Sequence, residues 1–147
     1  MKYLIAGTGG VGGSIAGFLS LAGKDVTCIA RGAHLQAIQT NGLKLKSDLK
    51  GEHTLAIPAT TAEEFNGKAD VIFVCVKGYS LDDTIPFIRS AAGEKTVVIP
   101  ILNIYGTGRT MQAQLPGLLV TDGCIFISSN LAAPGVIQRH GSIFRVI

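Results

Sequence analysis

A run of glycines near the start, Gly7-Thr8-Gly9-Gly10-Val11-Gly12, constrains this chain more than any other feature, because of what stands on either side of it. Lys2 to Ala6 is short, apolar and strand-like, and from Val11 onward Val11, Ile15, Phe18, Leu19 and Ala22 recur at helical spacing, so the glycines fall at a strand-to-helix turn. A G-x-G-x-x-G pattern has a physical meaning at that junction. The first glycine permits the tight turn, the second lets backbone approach a pyrophosphate, and the third lets helix pack closely on strand, while unpaired N–H groups at the helix N-terminus favour an anion. The alternative is a purely structural turn, since 19 glycines in 147 residues produce chance matches.

Gly23-Lys24 closes the helix, and Asp25 to Ala30 supplies a second β-rich run, completing a βαβ unit whose strands must be parallel. The expected fold is α/β, a Rossmann-type doubly wound and mainly parallel sheet with additional C-terminal strands. A short helix is expected from Ala33 to Gln39, then a peripheral antiparallel hairpin from Leu43–Lys46 and His53–Ile57 around Ser47 to Gly51. Val71 to Val76 is unbroken and β-branched, as a central strand covered on both faces requires. Ser80 is placed to cap a helix running to about Ala92, irregular at Pro86, with Asp82 and Asp83 in its first turn. Thr96 to Ile101 reads as a buried strand and Gly108 to Leu115 as a helix. Leu118–Val120, Cys124–Ser128, Val136–Arg139 and Ile143–Ile147 read as later strands.

The end of the second strand discriminates between cofactors. NAD sites usually place a carboxylate there for the ribose 2′-hydroxyl, but no Asp or Glu lies between Val26 and Gln39, and Ala30-Arg31-Gly32 offers a guanidinium suited to a 2′-phosphate. NADP(H) is therefore the expected cofactor, held by Gly7, Thr8, Gly9, Gly10, Val11, Gly12 and Arg31. Ligands in such sheets gather beyond the carboxyl ends of the strands, where Lys77 and Asn103 follow two apolar runs. A surface lysine and a turn amide are their structural alternatives, as a solvated loop residue is for Arg31.

Composition narrows the rest. The net charge is +3, and 13 Lys and Arg are scattered without a basic run, so a nucleic-acid partner is not expected. No leader-like segment and no apolar run of spanning length is present, which gives the expectation of a cytoplasmic protein with no membrane partner. Cys28, Cys75 and Cys124 lie in apolar strand-like runs without CxxC spacing, and His34, His53 and His140 are scattered, so no metal site is expected. Residues 1–147 read as one domain, and the strand-like end Phe144-Arg145-Val146-Ile147 suggests a fragment with a second domain beyond it, a terminal edge strand being the alternative. An apolar face left bare by that absence would favour a homodimer.

The glycine turn, Ala30-Arg31-Gly32, Val76-Lys77-Gly78-Tyr79 and Asn103 together resemble the ketopantoate reductase family over essentially the whole chain. The resemblance implies an NADPH-dependent reductase of a small 2-oxoacid, 2-dehydropantoate, in pantothenate synthesis. Arg31 would hold the 2′-phosphate, Lys77 would border the cofactor cleft, and Asn103 would position nicotinamide ribose and substrate. The family's general acid, a lysine, lies in a C-terminal helical domain, the expected intramolecular partner of this one. One departure bears on substrate: the family commonly shows Gln-Asn-Gly, and this chain has Leu102-Asn103-Ile104. A non-catalytic NADP-binding regulatory module and a related dehydrogenase with another substrate stay open as alternatives.

Overall fold

Leu4 and Ile5 are neighbours on β1 (Lys2–Ala6), and both are buried although their side chains point to opposite faces, so β1 must lie inside a sheet covered on both sides. The computed structural model describes residues 1–147, the side chain of Tyr79 excepted. β1 is flanked in parallel by β2 (Asp25–Ile29) and β6 (Ala69–Val74), and outward from these come β5 (Ala59–Thr60) beyond β2, and β7 (Ala92–Pro100) and β8 (Leu119–Val120) beyond β6. The order β5-β2-β1-β6-β7-β8 runs outward in both directions from the β1/β6 pair. That is the doubly wound Rossmann-type topology, whose ligand crevice opens where the winding reverses.

One face of this sheet carries α3 (Leu81–Ala91) and α4 (Thr107–Gln114), with Leu4, Ile72, Val74 and Val98 packed against Ile85, Ile88, Met111 and Leu115. The other carries α1 (Gly10–Leu21) and α2 (Gly32–Asn41). Beyond α1 lies a second sheet of β3 (Leu43–Ser47), β4 (Gly51–Leu55), β9 (Ile125–Ala133) and β10 (Val136–Val146), ordered β4-β3-β10-β9. The first helix is thus held between two sheets, which explains why it is apolar around its circumference.

Four glycines in a twelve-residue helix would each cost about 1 kcal/mol relative to alanine. Packing reverses that preference. A Cβ at Gly10 would lie 2.8 Å from the Ser129 oxygen, at Gly13 2.5 Å from Ile137 Cδ1, and at Gly17 2.8 Å from Leu45 Cδ2. Gly10, Gly13 and Gly17 form one stripe along the helix, and the second sheet seats in it. Phe18 extends the contact edge-to-face onto Phe144, centroids 4.3 Å apart.

The Leu43–Lys46/His53–Ile57 segment is an antiparallel hairpin, but it is not peripheral: Leu43 and Leu45 are fully buried, and β3 is an inner strand. Val136–Arg139 and Ile143–Val146 are parts of the single strand β10, which ends one residue short of the expected Ile147 and is interrupted by a bulge between His140 and Phe144, and β9 runs on past Ser128 to Ala133. The bulge is clamped by buried Arg139, whose guanidinium donates to the Gly141 and Ile143 carbonyls. The central strand spans Ala69–Val74 rather than Val71–Val76: Cys75 N–H makes a last bond to the Ala6 carbonyl of β1, and from there the backbone lies against Gly7. Ser80 stands at the N-cap of α3 without a side-chain capping bond; its carbonyl instead accepts from Thr84 Oγ1. α3 continues through Pro86, which cannot donate to the Asp82 carbonyl one turn back; both residues are exposed, so that lost bond lies on the outer side of the helix. Cys28 is buried within β2, but Cys75 and Cys124 fall just outside strands and are half-buried, the exposed part of Cys75 leaving its thiol enclosed. β5, two residues long, carried no sequence signal.

Candidate functional site

Because β2, β1, β6 and β7 are parallel neighbours, the segments that follow them emerge side by side at one edge: Arg31 after β2, Gly7 to Gly12 after β1, Lys77 after β6 and Asn103 after β7. The topology therefore brings every sequence-derived candidate to the carboxyl edge of the sheet, around the β1/β6 reversal.

The glycine turn has three different local geometries. Gly7 has φ +97°, and a Cβ there would also press on Val76 N at 3.0 Å. Gly12 lies so close to the turn that a Cβ would be 2.0 Å from the Gly7 oxygen. Gly9, the N-cap of α1, has an ordinary φ of −80° and nothing within 4 Å of its would-be Cβ. Neither turn geometry nor packing requires glycine at position 9; the open space beside it is what a dinucleotide phosphate would fill. Gly10 and Val11 begin α1, with their N–H groups at its positive end. The buried Ser129 hydroxyl, on the strand that crosses Gly10, has no partner among the described residues. These features fit a nicotinamide dinucleotide.

Thr8 differs from its neighbours. It is buried, its hydroxyl donates to the Ile29 carbonyl at 2.9 Å, and it therefore ties the turn to the end of β2 rather than facing a ligand. Arg31, the N-cap of α2, is exposed, and its guanidinium has no protein partner among the described residues. Lys77 is exposed and opens the 3-10 turn Gly78–Ser80. Asn103 is exposed in the loop before α4, followed by the exposed Ile104 and Tyr105. Ile104 Cδ1 reaches to 2.8 Å of a Cβ placed on Gly78, so the Lys77 and Asn103 loops meet.

Beneath the turn, burial pushes the Cys28 thiol up to about 12, against the lowering effect of its hydrogen bond with Thr8. It pushes Cys75 up to about 12 as well, with repulsion from Cys28 adding to it. Both remain neutral thiols at physiological pH, serving as packing under the glycine turn rather than as nucleophiles.

Sequence reasoning missed His34. Its Nε2 lies 2.6 Å from the Thr8 carbonyl, and its Nδ1 accepts the Gly135 N–H at 2.8 Å. The second partner is 101 residues away, so no local pattern could have revealed the link. Two open grooves lie elsewhere and include no candidate residue. One, of 640 Å³, runs between the end of α2 and the β4–β5 connection; the other, of 620 Å³, lies at the opposite edge of the sheet, around Lys68, Gly93 and Gly117. Among the described residues no helix is long and apolar enough to cross a membrane.

Topology and turn together define a Rossmann-type domain of the dinucleotide-binding kind. The chain belongs to the ketopantoate reductase family: the family model described as Ketopantoate reductase PanE/ApbA matches residues 3–146. It is 33% identical over 147 residues to an oxidoreductase of Bacillus subtilis, YkpB, covering 100% of this chain and 48% of that one. It is 39% identical over 105 residues to a 2-dehydropantoate 2-reductase of Mesorhizobium japonicum, covering 70% and 32% respectively. Among solved structures, a 2-dehydropantoate 2-reductase from Geobacter metallireducens superposes with a TM-score of 0.90 at 26% identity, over 99% of this chain and 48% of that one. D-mandelate dehydrogenase with NADH shares the fold, with a TM-score of 0.81 at 25% identity, over 96% of this chain and 44% of that one. The chain spans about half the length of the curated relatives it matches.

Proposed function

We propose that this chain is the NADP(H)-binding half of a cytoplasmic 2-oxoacid reductase, 2-dehydropantoate 2-reductase or a close paralogue. The observation that carries the cofactor choice is Arg31: an exposed guanidinium, unpaired among the described residues, where an NAD site would hold a carboxylate, next to a glycine turn with open space at Gly9. In this reading Gly9, Gly10 and Val11 direct backbone N–H groups at the pyrophosphate, Arg31 pairs with the 2′-phosphate, and Lys77 borders the cleft. Asn103, projecting from the adjoining loop, orients nicotinamide ribose and substrate. The cofactor, when bound, supplies the hydride. The proton for the developing alkoxide would come from a second, helical domain, consistent with relatives about twice as long.

The exposed Ile104 and Tyr105 beside Asn103 favour a 2-oxoacid with an apolar substituent, which 2-dehydropantoate and larger relatives both satisfy. Calorimetric titration of the chain with NADPH and NADH, repeated with Arg31→Ala, tests the cofactor reading. A guanidinium–phosphate pair predicts NADPH bound tighter by about 10- to 100-fold, and Arg31→Ala removing the difference. Equal affinities would sink the NADP assignment, and binding of neither nucleotide would sink the reading of the site.

A further inference from the structure

His34 stands at the crossing of three parts of the chain that are distant in sequence. It lies on the first turn of α2, and it bonds the middle of the glycine turn through Thr8 and the β9–β10 turn through Gly135. The two bonds fix its tautomer. Gly135 N–H donates to Nδ1, so Nδ1 carries no proton; Nε2 carries it and donates to the Thr8 carbonyl at 2.6 Å. Gly135 is itself held in place, with φ +74° and a would-be Cβ 2.9 Å from Ala37 Cβ on the same helix.

The consequence for the turn follows from peptide geometry. No cis peptide is present, and in a trans peptide the C=O and the next residue's N–H point in opposite directions. Drawing the Thr8 carbonyl onto His34 therefore turns the Gly9 N–H the other way. The Thr8 hydroxyl, bonded to Ile29 O on the end of β2, anchors the Thr8 Cα, and the bond of the Thr8 carbonyl to His34 sets the orientation of the Thr8–Gly9 peptide plane. We infer that His34 is a positioning residue for the dinucleotide: by holding the Thr8 carbonyl it aims the Gly9 N–H at the phosphate, and through Gly135 it makes that aim depend on the seating of the second sheet. This rests on the dinucleotide reading of the glycine turn given above.

Two isosteric substitutions separate the two bonds. In His34→Gln the amide nitrogen reaches about as far as Nε2 and can donate to Thr8; in His34→Asn the amide oxygen stands near Nδ1 and can accept from Gly135. His34→Ala removes both. The readouts are NADPH affinity by calorimetry, thermal unfolding, and the Gly9 amide resonance in 15N-labelled chain. His34→Gln is expected to bind NADPH within about 3-fold of the unsubstituted chain, and His34→Asn and His34→Ala about 10- to 100-fold more weakly, the span of one lost charge-assisted bond. The order of thermal stability should differ, with His34→Asn above His34→Gln, and the Gly9 resonance should move in His34→Asn but not in His34→Gln. NADPH affinity equal to the unsubstituted chain in all three variants, or affinity that merely follows stability, overturns the inference alone. Absence of binding by the unsubstituted chain overturns the dinucleotide reading and this inference with it.

Discussion

Replacing Gly12 and Gly9 by alanine should separate folding from binding within four residues of one another. At Gly12 the added Cβ meets a backbone oxygen, that of Gly7, at 2.0 Å, with Ile5 Cγ2 at 3.0 Å and Cys75 Cβ at 3.1 Å closing the other sides. Overpacking costs about 1–3 kcal/mol when side chains can give way. Here a main-chain atom in a tight turn must move, so the cost lies at or above the top of that range, and the gain in helix propensity of about 1 kcal/mol does not offset it. A net loss of about 3 kcal/mol would lower the urea midpoint by about 1–3 M, given an m-value of about 1–3 kcal/mol/M. At Gly9 the backbone dihedrals suit alanine and nothing lies within 4 Å, so only a capping penalty of at most about 1 kcal/mol is expected. The methyl group would, however, occupy the space a phosphate needs, and NADPH affinity should fall by at least about 10-fold. Urea unfolding and calorimetric titration of both variants give the comparison. A Gly9→Ala chain that unfolds as early as Gly12→Ala, or that binds NADPH like the unsubstituted chain, would refute the reasoning.

Alkaline pH should destabilise the chain through Cys28 and Cys75. Both thiols have folded values near 12 against an ordinary 9.0, so below pH 9 neither affects the pH dependence of stability. Above it the unfolded chain releases these protons first, and stability falls by about 1.4 kcal/mol per pH unit per thiol. Urea midpoints between pH 8 and 10.5 should therefore drop less steeply in a Cys28→Ala/Cys75→Ala variant, and an unchanged slope would contradict the assigned burial. Leu45→Ala and Ile137→Ala should each cost about 2–5 kcal/mol in urea unfolding, as for inner core positions rather than a surface ribbon. Gly13→Ala, which brings a Cβ to 2.5 Å from Ile137 Cδ1, should be partly rescued by Ile137→Val, with a coupling of about 0.5–3 kcal/mol in a double-mutant cycle. Strict additivity would show that the helix and second sheet do not interlock as described.

The parallel sheet and its glycine turn could be read from the sequence because their signals are local. KYLIA followed by a glycine turn and a helical run, and a β-branched VIFVCV, leave little choice of element or neighbour. The second sheet was legible only as one hairpin, β3 with β4, and separate later strands. Its pairing of β3 with β10 joins Lys44 to Val136 across the chain, and the alternation in LKLKS does not say whether Leu43 and Leu45 cover a helix or an outer surface. The clue present but unread was the Gly10-Gly13-Gly17 spacing, which marks a helix face approached closely by backbone or branched side chains. Arg31, Lys77 and Asn103 were found because parallel topology forces strand ends together. His34 was not, since its importance lies in a bond to Gly135 that only the folded chain creates.

The central claim is that the carboxyl edge of the parallel sheet receives the dinucleotide. Titrating 15N-labelled chain with NADPH and following every backbone amide tests it directly. Saturable shifts concentrated at Gly9, Gly10, Val11, Arg31 and Gly32, with smaller ones at Lys77 and Asn103, are the predicted result. Shifts confined to the grooves around Asn41 and Pro58 or around Gly93 and Gly117, with the glycine turn silent, would contradict it.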